Sequence, residues 1–93
     1  MTASTRLKRE MTLQNKRGLH ARASAKFVEC AGQFQAQITV HNDGHSAGGT
    51  SILSLMMLAA PLGTVLRLEA EGEDAEAALD ALEQLINDKF GEE

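Results

Sequence analysis

The sequence predicts an α+β fold: a two-layer open-faced sandwich in which three helices cover one face of a four-stranded antiparallel sheet, in the order βαββαβα. Three observations carry this. Four segments alternate apolar and polar residues with a period of 2, the pattern of a half-buried strand. Three others place apolar residues at helical spacing. A chain of 93 residues supplies one core, which is covered most economically by helices on one sheet face with water on the other. A single domain over residues 1–93 is expected.

The first strand is read from Leu7 to Leu13, where Leu7, Met11 and Leu13 alternate with Lys8, Glu10 and Thr12. Asn15-Lys16-Arg17-Gly18 breaks it, and Gly18 suits a turn that needs positive φ. A helix follows from about His20 to Ala31, with Ser24, Phe27, Val28 and Ala31 facing inward and Gly32 as its C-terminal stop. Gln35 to His41 alternates again. Asn42-Asp43-Gly44 signals a hairpin, so a short strand returns over His45 to Ala47. Ser51 to Ala60 is nearly all apolar and reads as a short helix with Ser51 or Thr50 as its N-cap. Pro61-Leu62-Gly63 turns into a fourth strand over Val65 to Glu71. The last helix is expected from Asp74 to Phe90, its stripe formed by Ala75, Ala78, Leu79, Leu82, Leu85 and Ile86.

Composition bounds the function. Hydrophobic residues make up 43% of the chain, which excludes a disordered polypeptide. With no Trp or Tyr and only 3 Phe, the core is expected to be aliphatic and Met-based, and no aromatic platform is present for stacking bases, so nucleic acid is not an expected partner. Cys30 has no partner for an internal disulfide, which fits a reducing compartment. No apolar run approaches ~18 residues and the N-terminal stretch lacks a signal-peptide core, so a cytoplasmic protein without membrane association is expected. His41 and His45 flank the hairpin without a third ligand, so no metal or cofactor is expected there or elsewhere. Charge is segregated. Up to Lys26 seven basic residues face Glu10 alone, and from Glu69 onward ten acidic residues face only Lys89. The basic pole can attract an anion or an acidic protein surface.

The chemistry concentrates at Gly18-Leu19-His20-Ala21-Arg22. His20 falls where turn gives way to helix, and helix N-termini offer unpaired N–H groups and partial positive charge that stabilise phosphate. Imidazole titrates near neutral pH and is a usable nucleophile. Arg22 can offer charge-assisted hydrogen bonds to phosphate oxygens, and Lys16, Arg17 and Lys26 add positive potential. On local physics alone a His at a helix N-terminus is more often a capping or surface residue, and the chain could then be a small α/β interaction module with no phosphotransfer. The chain has no Walker-type loop, since Ala47-Gly48-Gly49-Thr50-Ser51 lacks Lys, so a phosphoryl group would have to arrive from another protein. The apolar Ser51–Ala60 helix is too large a surface for so small a domain to bury, and its exposed part is expected to be a docking face.

Gly18-Leu19-His20-Ala21-Arg22, with Ala25-Lys26-Phe27-Val28 after it, resembles the active-site signature of HPr, the histidine-containing phosphocarrier family of the bacterial phosphotransferase system. Thr50-Ser51-Ile52-Leu53-Ser54-Leu55-Met56 resembles the family's second signature, and the element order matches. The ending, Asp88-Lys89-Phe90-Gly91-Glu92-Glu93, looks most like the nitrogen-related branch, NPr. The resemblance implies that His20 takes a phosphoryl group at Nδ1 from enzyme I and gives it to an enzyme IIA, in a regulatory chain or in sugar transport. It implies that Arg22 steadies the group, that Ser51 is the site of an HPr kinase/phosphorylase, and that Ile52, Leu53, Met56 and Ala25 form the docking patch. Two departures stand out. Ala23 occupies a position where the family usually has Pro, which restores a backbone N–H in the first helical turn. Gly91-Glu92-Glu93 runs past the point where the family often ends, so whether a C-terminal carboxylate acts near the histidine is left open.

Overall fold

In the computed structural model, which describes residues 6–92, the alternating segments become β1 (Arg6–Thr12), β2 (Gln37–Asn42), β3 (His45–Gly48) and β4 (Val65–Glu71). The helical segments become α1 (Ala21–Ala31), α2 (Ile52–Met57) and α3 (Ala75–Asn87), followed by a 3-10 turn at Lys89–Gly91. The strands form one antiparallel sheet in the order β1-β4-β2-β3. β4 is thus an inner strand, and its Leu66, Leu68 and Ala70 are fully buried beneath the helices. On the uncovered face, Arg6, Lys8 and Glu10 of β1 lie opposite Glu71, Glu69 and Arg67 of β4. This ladder of opposite charges is favourable across paired strands.

The β2–β3 hairpin turns through two residues, Asp43 and Gly44, at φ 50° and 83°, the left-handed pair that matches strand twist. Asp74, directly before α3, does not cap its own helix. Its two carboxylate oxygens instead accept from the backbone N–H of Gln35 and Ala36, both at 2.8 Å, and fasten the start of α3 to the loop before β2.

Two expectations need correction. The core is not Met-based: Met11 is buried, but Met56 and Met57 are exposed, and the largest fully buried side chains are Phe27 and Phe90. Gly32 does end α1, right-handed at φ −67°. α3 stops at Asn87, and Lys89, Phe90 and Gly91 take φ of 59°, 55° and 77°. Phe90 still reaches the core, by a left-handed turn in place of another turn of helix.

Candidate functional site

His20 is held from several sides. Gly18 sits at φ +65°, and its α-carbon approaches so close to the Ala60–Pro61 backbone that an added Cβ would lie 2.2 Å from the Ala60 carbonyl oxygen. The Leu19 N–H donates to that same oxygen at 2.9 Å. Asn15, 2% exposed, donates through its Nδ2 to the Gly18 carbonyl at 2.7 Å. These bonds fix the chain entering α1. His20 occupies the N-cap position in extended conformation, with φ −78° and ψ −176°, and its side chain makes no capping bond. The first helical bond runs from Ser24 N–H to the His20 carbonyl at 2.8 Å. The N–H groups of Ala21, Arg22 and Ala23 have no backbone acceptor among the described residues, leaving the positive end of an 11-residue helix open beside the imidazole.

The C-terminal carboxylate that does come near the histidine is that of Glu92, a residue the sequence pattern does not single out. The left-handed turn at Lys89–Gly91 carries it back over α1, where Glu92 Oε2 bonds His20 Nε2 and Oε1 accepts from Asn15 Nδ2 at 3.3 Å. The turn is itself fastened by Lys26, whose ammonium donates to the Phe90 carbonyl at 2.6 Å. Partial burial pushes the Glu92 carboxyl up, but the hydrogen bonds from His20 and Asn15 and the charges of His20 and Arg17 outweigh it and hold the group below the usual carboxylate range. An ionised carboxylate only accepts, so Nε2 carries a proton, and whenever the ring is neutral Nδ1 holds the lone pair. Among the described residues Nδ1 has no hydrogen-bond partner, and it is not closed off from solvent. The sequence did hold a weak signal, an apolar Phe90 followed by Gly91 after a helix, which marks a chain folding back.

Of the other expected residues, Met56 joins His20, Arg17 and Pro61 around an open depression of about 320 Å³. Arg22 and Ala25 are exposed on α1 and do not line it. Ser51 is the N-cap of α2, its Oγ accepting from Ser54 N–H at 3.2 Å. Only Leu55 of α2 is buried, while Ile52, Leu53, Met56 and Met57 are exposed, as expected of an apolar helix in a small domain. His41, expected to be a free polar residue, is engaged at both nitrogens, with Ser46 Oγ at 2.8 Å and Glu69 Oε1 at 2.6 Å. Among the described residues no three His, Cys, Asp or Glu side chains gather into a metal site, and no helix is long and apolar enough to cross a membrane.

The family model described as "PTS HPr component phosphorylation site" matches residues 7–88. The chain belongs to the HPr family of phosphotransferase-system phosphocarriers. It is 46% identical over 86 residues to the phosphocarrier protein HPr of Cupriavidus necator, covering 92% of this chain and 97% of that protein. It is 43% identical over 88 residues to the phosphocarrier protein NPr of Shewanella violacea, covering 95% and 97%. A crystal structure of HPr from Thermoanaerobacter tengcongensis superposes with a TM-score of 0.89 at 44% identity, covering 94% of this chain and 98% of that one. The βαββαβα order and antiparallel sheet are those of an HPr fold.

Proposed function

We propose that His20 accepts a phosphoryl group on Nδ1 from phosphoenolpyruvate-charged enzyme I and passes it to an enzyme IIA, in the cytoplasm and in a regulatory, nitrogen-related chain. The observation that carries this is the hydrogen bond from Nε2 to Glu92, which leaves Nδ1 as the nucleophilic nitrogen at the open start of α1. The protein is then a covalent carrier that turns over only in company with its partners. Relatives named HPr, such as that of Cupriavidus necator, support the alternative of a sugar-transport carrier, and the enzyme IIA that discharges the protein separates the two. A gain of one phosphoryl group by mass after mixing with enzyme I and phosphoenolpyruvate tests the assignment; an unchanged mass overturns it.

Arg22 supplies charge to the phosphoryl oxygens from a rotamer that swings toward His20, since no hydrogen bond or ion pair among the described residues engages it. Arg22→Ala should slow phosphoryl transfer while leaving His20 the acceptor. A solvated, charge-assisted bond of about 1.5 kcal/mol corresponds to roughly tenfold. Stopped-flow transfer rates equal to wild type across ionic strengths would remove Arg22 from the mechanism.

Ile52, Leu53, Met56 and Ala25 form the face that meets enzyme I and the enzyme IIA, and Ser51 is the proposed site of an HPr kinase/phosphorylase. A phosphoryl group on Ser51 adds negative charge at the start of α2, which favours the helix, but sets an anion beside the docking residues. Ser51→Asp should therefore keep its melting temperature and raise the Michaelis constant for charging by enzyme I, whereas Ser51→Ala should lose about 1 kcal/mol with the cap and charge normally. An unchanged Michaelis constant for Ser51→Asp leaves Ser51 a structural cap.

A further inference from the structure

A second imidazole is built into the sheet face opposite the helices. His41 lies on β2, with Ser46 of β3 as its cross-strand partner on one side and Arg67 of β4 on the other. Its Nε2 stands 2.6 Å from Glu69 Oε1 and its Nδ1 2.8 Å from Ser46 Oγ. The bond from His41 holds the Glu69 carboxyl below the usual carboxylate range; burial opposes it, and the charges of Lys8, His41 and Arg6 add to it. An ionised carboxylate only accepts, so Nε2 donates to Glu69. In the neutral ring Nδ1 then holds the lone pair, and the Ser46 hydroxyl donates to it. Carboxylate, imidazole and hydroxyl are thus joined in the order that activates a serine, and Ser46 is exposed on the edge strand of the sheet. We propose that Ser46 is an acyl-accepting nucleophile, with His41 as its general base and Glu69 as the positioning residue, and that its substrates are small activated acyl donors whose leaving group is a weak base.

The step balances with one base and no cofactor. Ser46 Oγ forms a bond to the acyl carbon while its proton passes to His41 Nδ1. The ring is now an imidazolium with both nitrogens protonated, and the Glu69 carboxylate lies against its charge without taking a proton. Negative charge develops on the attacked carbonyl oxygen. Arg67 is exposed and forms no ion pair among the described residues, and directly paired strand residues lie about 5 Å apart at Cβ, so its guanidinium supplies a cation to that oxygen. The bond from the acyl carbon to the leaving group then breaks, its electron pair departs with the leaving group, and the proton on Nδ1 follows it. Ser46 is left as an ester and His41 returns to the neutral Nε2–H form. The groups that face His41 and set its charge state are Glu69 and Arg67 of β4, with Lys8 and Arg6 of β1 acting through Glu69.

The probe is p-nitrophenyl acetate, with the acetyl group located by peptide mass mapping at timed intervals. Histidine and lysine side chains attack activated esters themselves, so the label must be mapped and not merely counted. In wild type the Ser46 peptide should gain one acetyl group faster than the peptides that carry the other described hydroxyls, and its rate should rise with pH and level off once His41 is neutral. Ser46→Ala should remove that label. His41→Ala should slow labelling of Ser46 about a hundredfold, the ordinary contribution of a general base, and abolish the plateau. Glu69→Gln should slow it roughly tenfold, a charged hydrogen bond exchanged for a neutral one, and nitrogen-15 NMR should show a share of the His41 Nδ1–H form that wild type lacks. Labelling of Ser46 no faster than that of the other hydroxyls, or unchanged in both His41→Ala and Glu69→Gln, would make the three residues an ordinary polar ladder of the sheet and overturn the proposal.

Discussion

His20→Ala should abolish phosphoryl acceptance completely and leave a folded protein. The loss is total because the substitution removes the proposed nucleophile, and the two remaining histidines are not placed to replace it. His41 has both nitrogens committed, to Ser46 and Glu69, and His45 lies across the hairpin on the edge strand β3. Neither sits at a helix N-terminus. The cost to folding is modest, since His20 does not cap α1 with its side chain and loses chiefly its bond to Glu92, about 1–2 kcal/mol. Incubation with enzyme I and phosphoenolpyruvate, followed by intact-mass measurement and thermal unfolding, checks both halves. An acid-labile phosphoryl group on the His20→Ala protein would show that the acceptor lies elsewhere.

Gly18→Ala should be the most destabilising single methyl group that can be added near the site. At φ +65° a side chain is strained by about 1 kcal/mol, and here the new Cβ would meet the Ala60 carbonyl oxygen at 2.2 Å and the Pro61 Cα at 2.8 Å. Both are backbone atoms, so no side-chain rotation relieves the overlap. The 15–20 loop must separate from the 60–61 segment, with loss of the Leu19–Ala60 hydrogen bond. Strain, displaced packing and that bond together come to about 3–5 kcal/mol, a large part of the stability of a small domain. Denaturant unfolding should show a lower midpoint at unchanged slope, and charging of whatever protein folds should be slow because His20 is re-aimed. A midpoint within experimental error of wild type would mean that the loop adapts without strain.

Much of this was legible because the signals were local. Asp43-Gly44 needs no distant partner to specify a two-residue hairpin, Ser51 before an apolar run marks a cap, and His20 two residues past Gly18 marks a turn entering a helix. What stayed hidden was set by packing across the fold. The apolar stripe of α3 includes Phe90 four residues beyond Ile86, so helical spacing extended the helix to Phe90. The core accepts Phe90 equally from a left-handed turn, and periodicity cannot distinguish the two backbones. Glu92 was invisible because its partner lies 72 residues away in sequence, and no spacing rule joins a terminal carboxylate to a loop before the first helix. The Met-based core failed for a related reason: Met56 and Met57 lie on a helix that turns most of its surface outward, and Leu, Ile, Val and Ala side chains with two Phe fill the interior.

The strand order β1-β4-β2-β3 has a consequence for when the molecule becomes competent. The hairpin of β2 and β3 closes locally, within microseconds in an isolated chain. β1 has no such neighbour: its hydrogen-bonding partner is β4, which begins at Val65. A chain emerging from a ribosome at ~5–20 residues per second therefore carries β1 unpaired for several seconds before the strand that receives it exists. The loop that shapes His20 waits longer than its own sequence requires, since Leu19 needs Ala60, and Leu13 needs Gly63 and Thr64. Long-range closure is the slow event in such topologies. The proposed acceptor, His20, is thus made within the first quarter of the chain, while the loop that shapes it assembles only after residues 60–64 have been added.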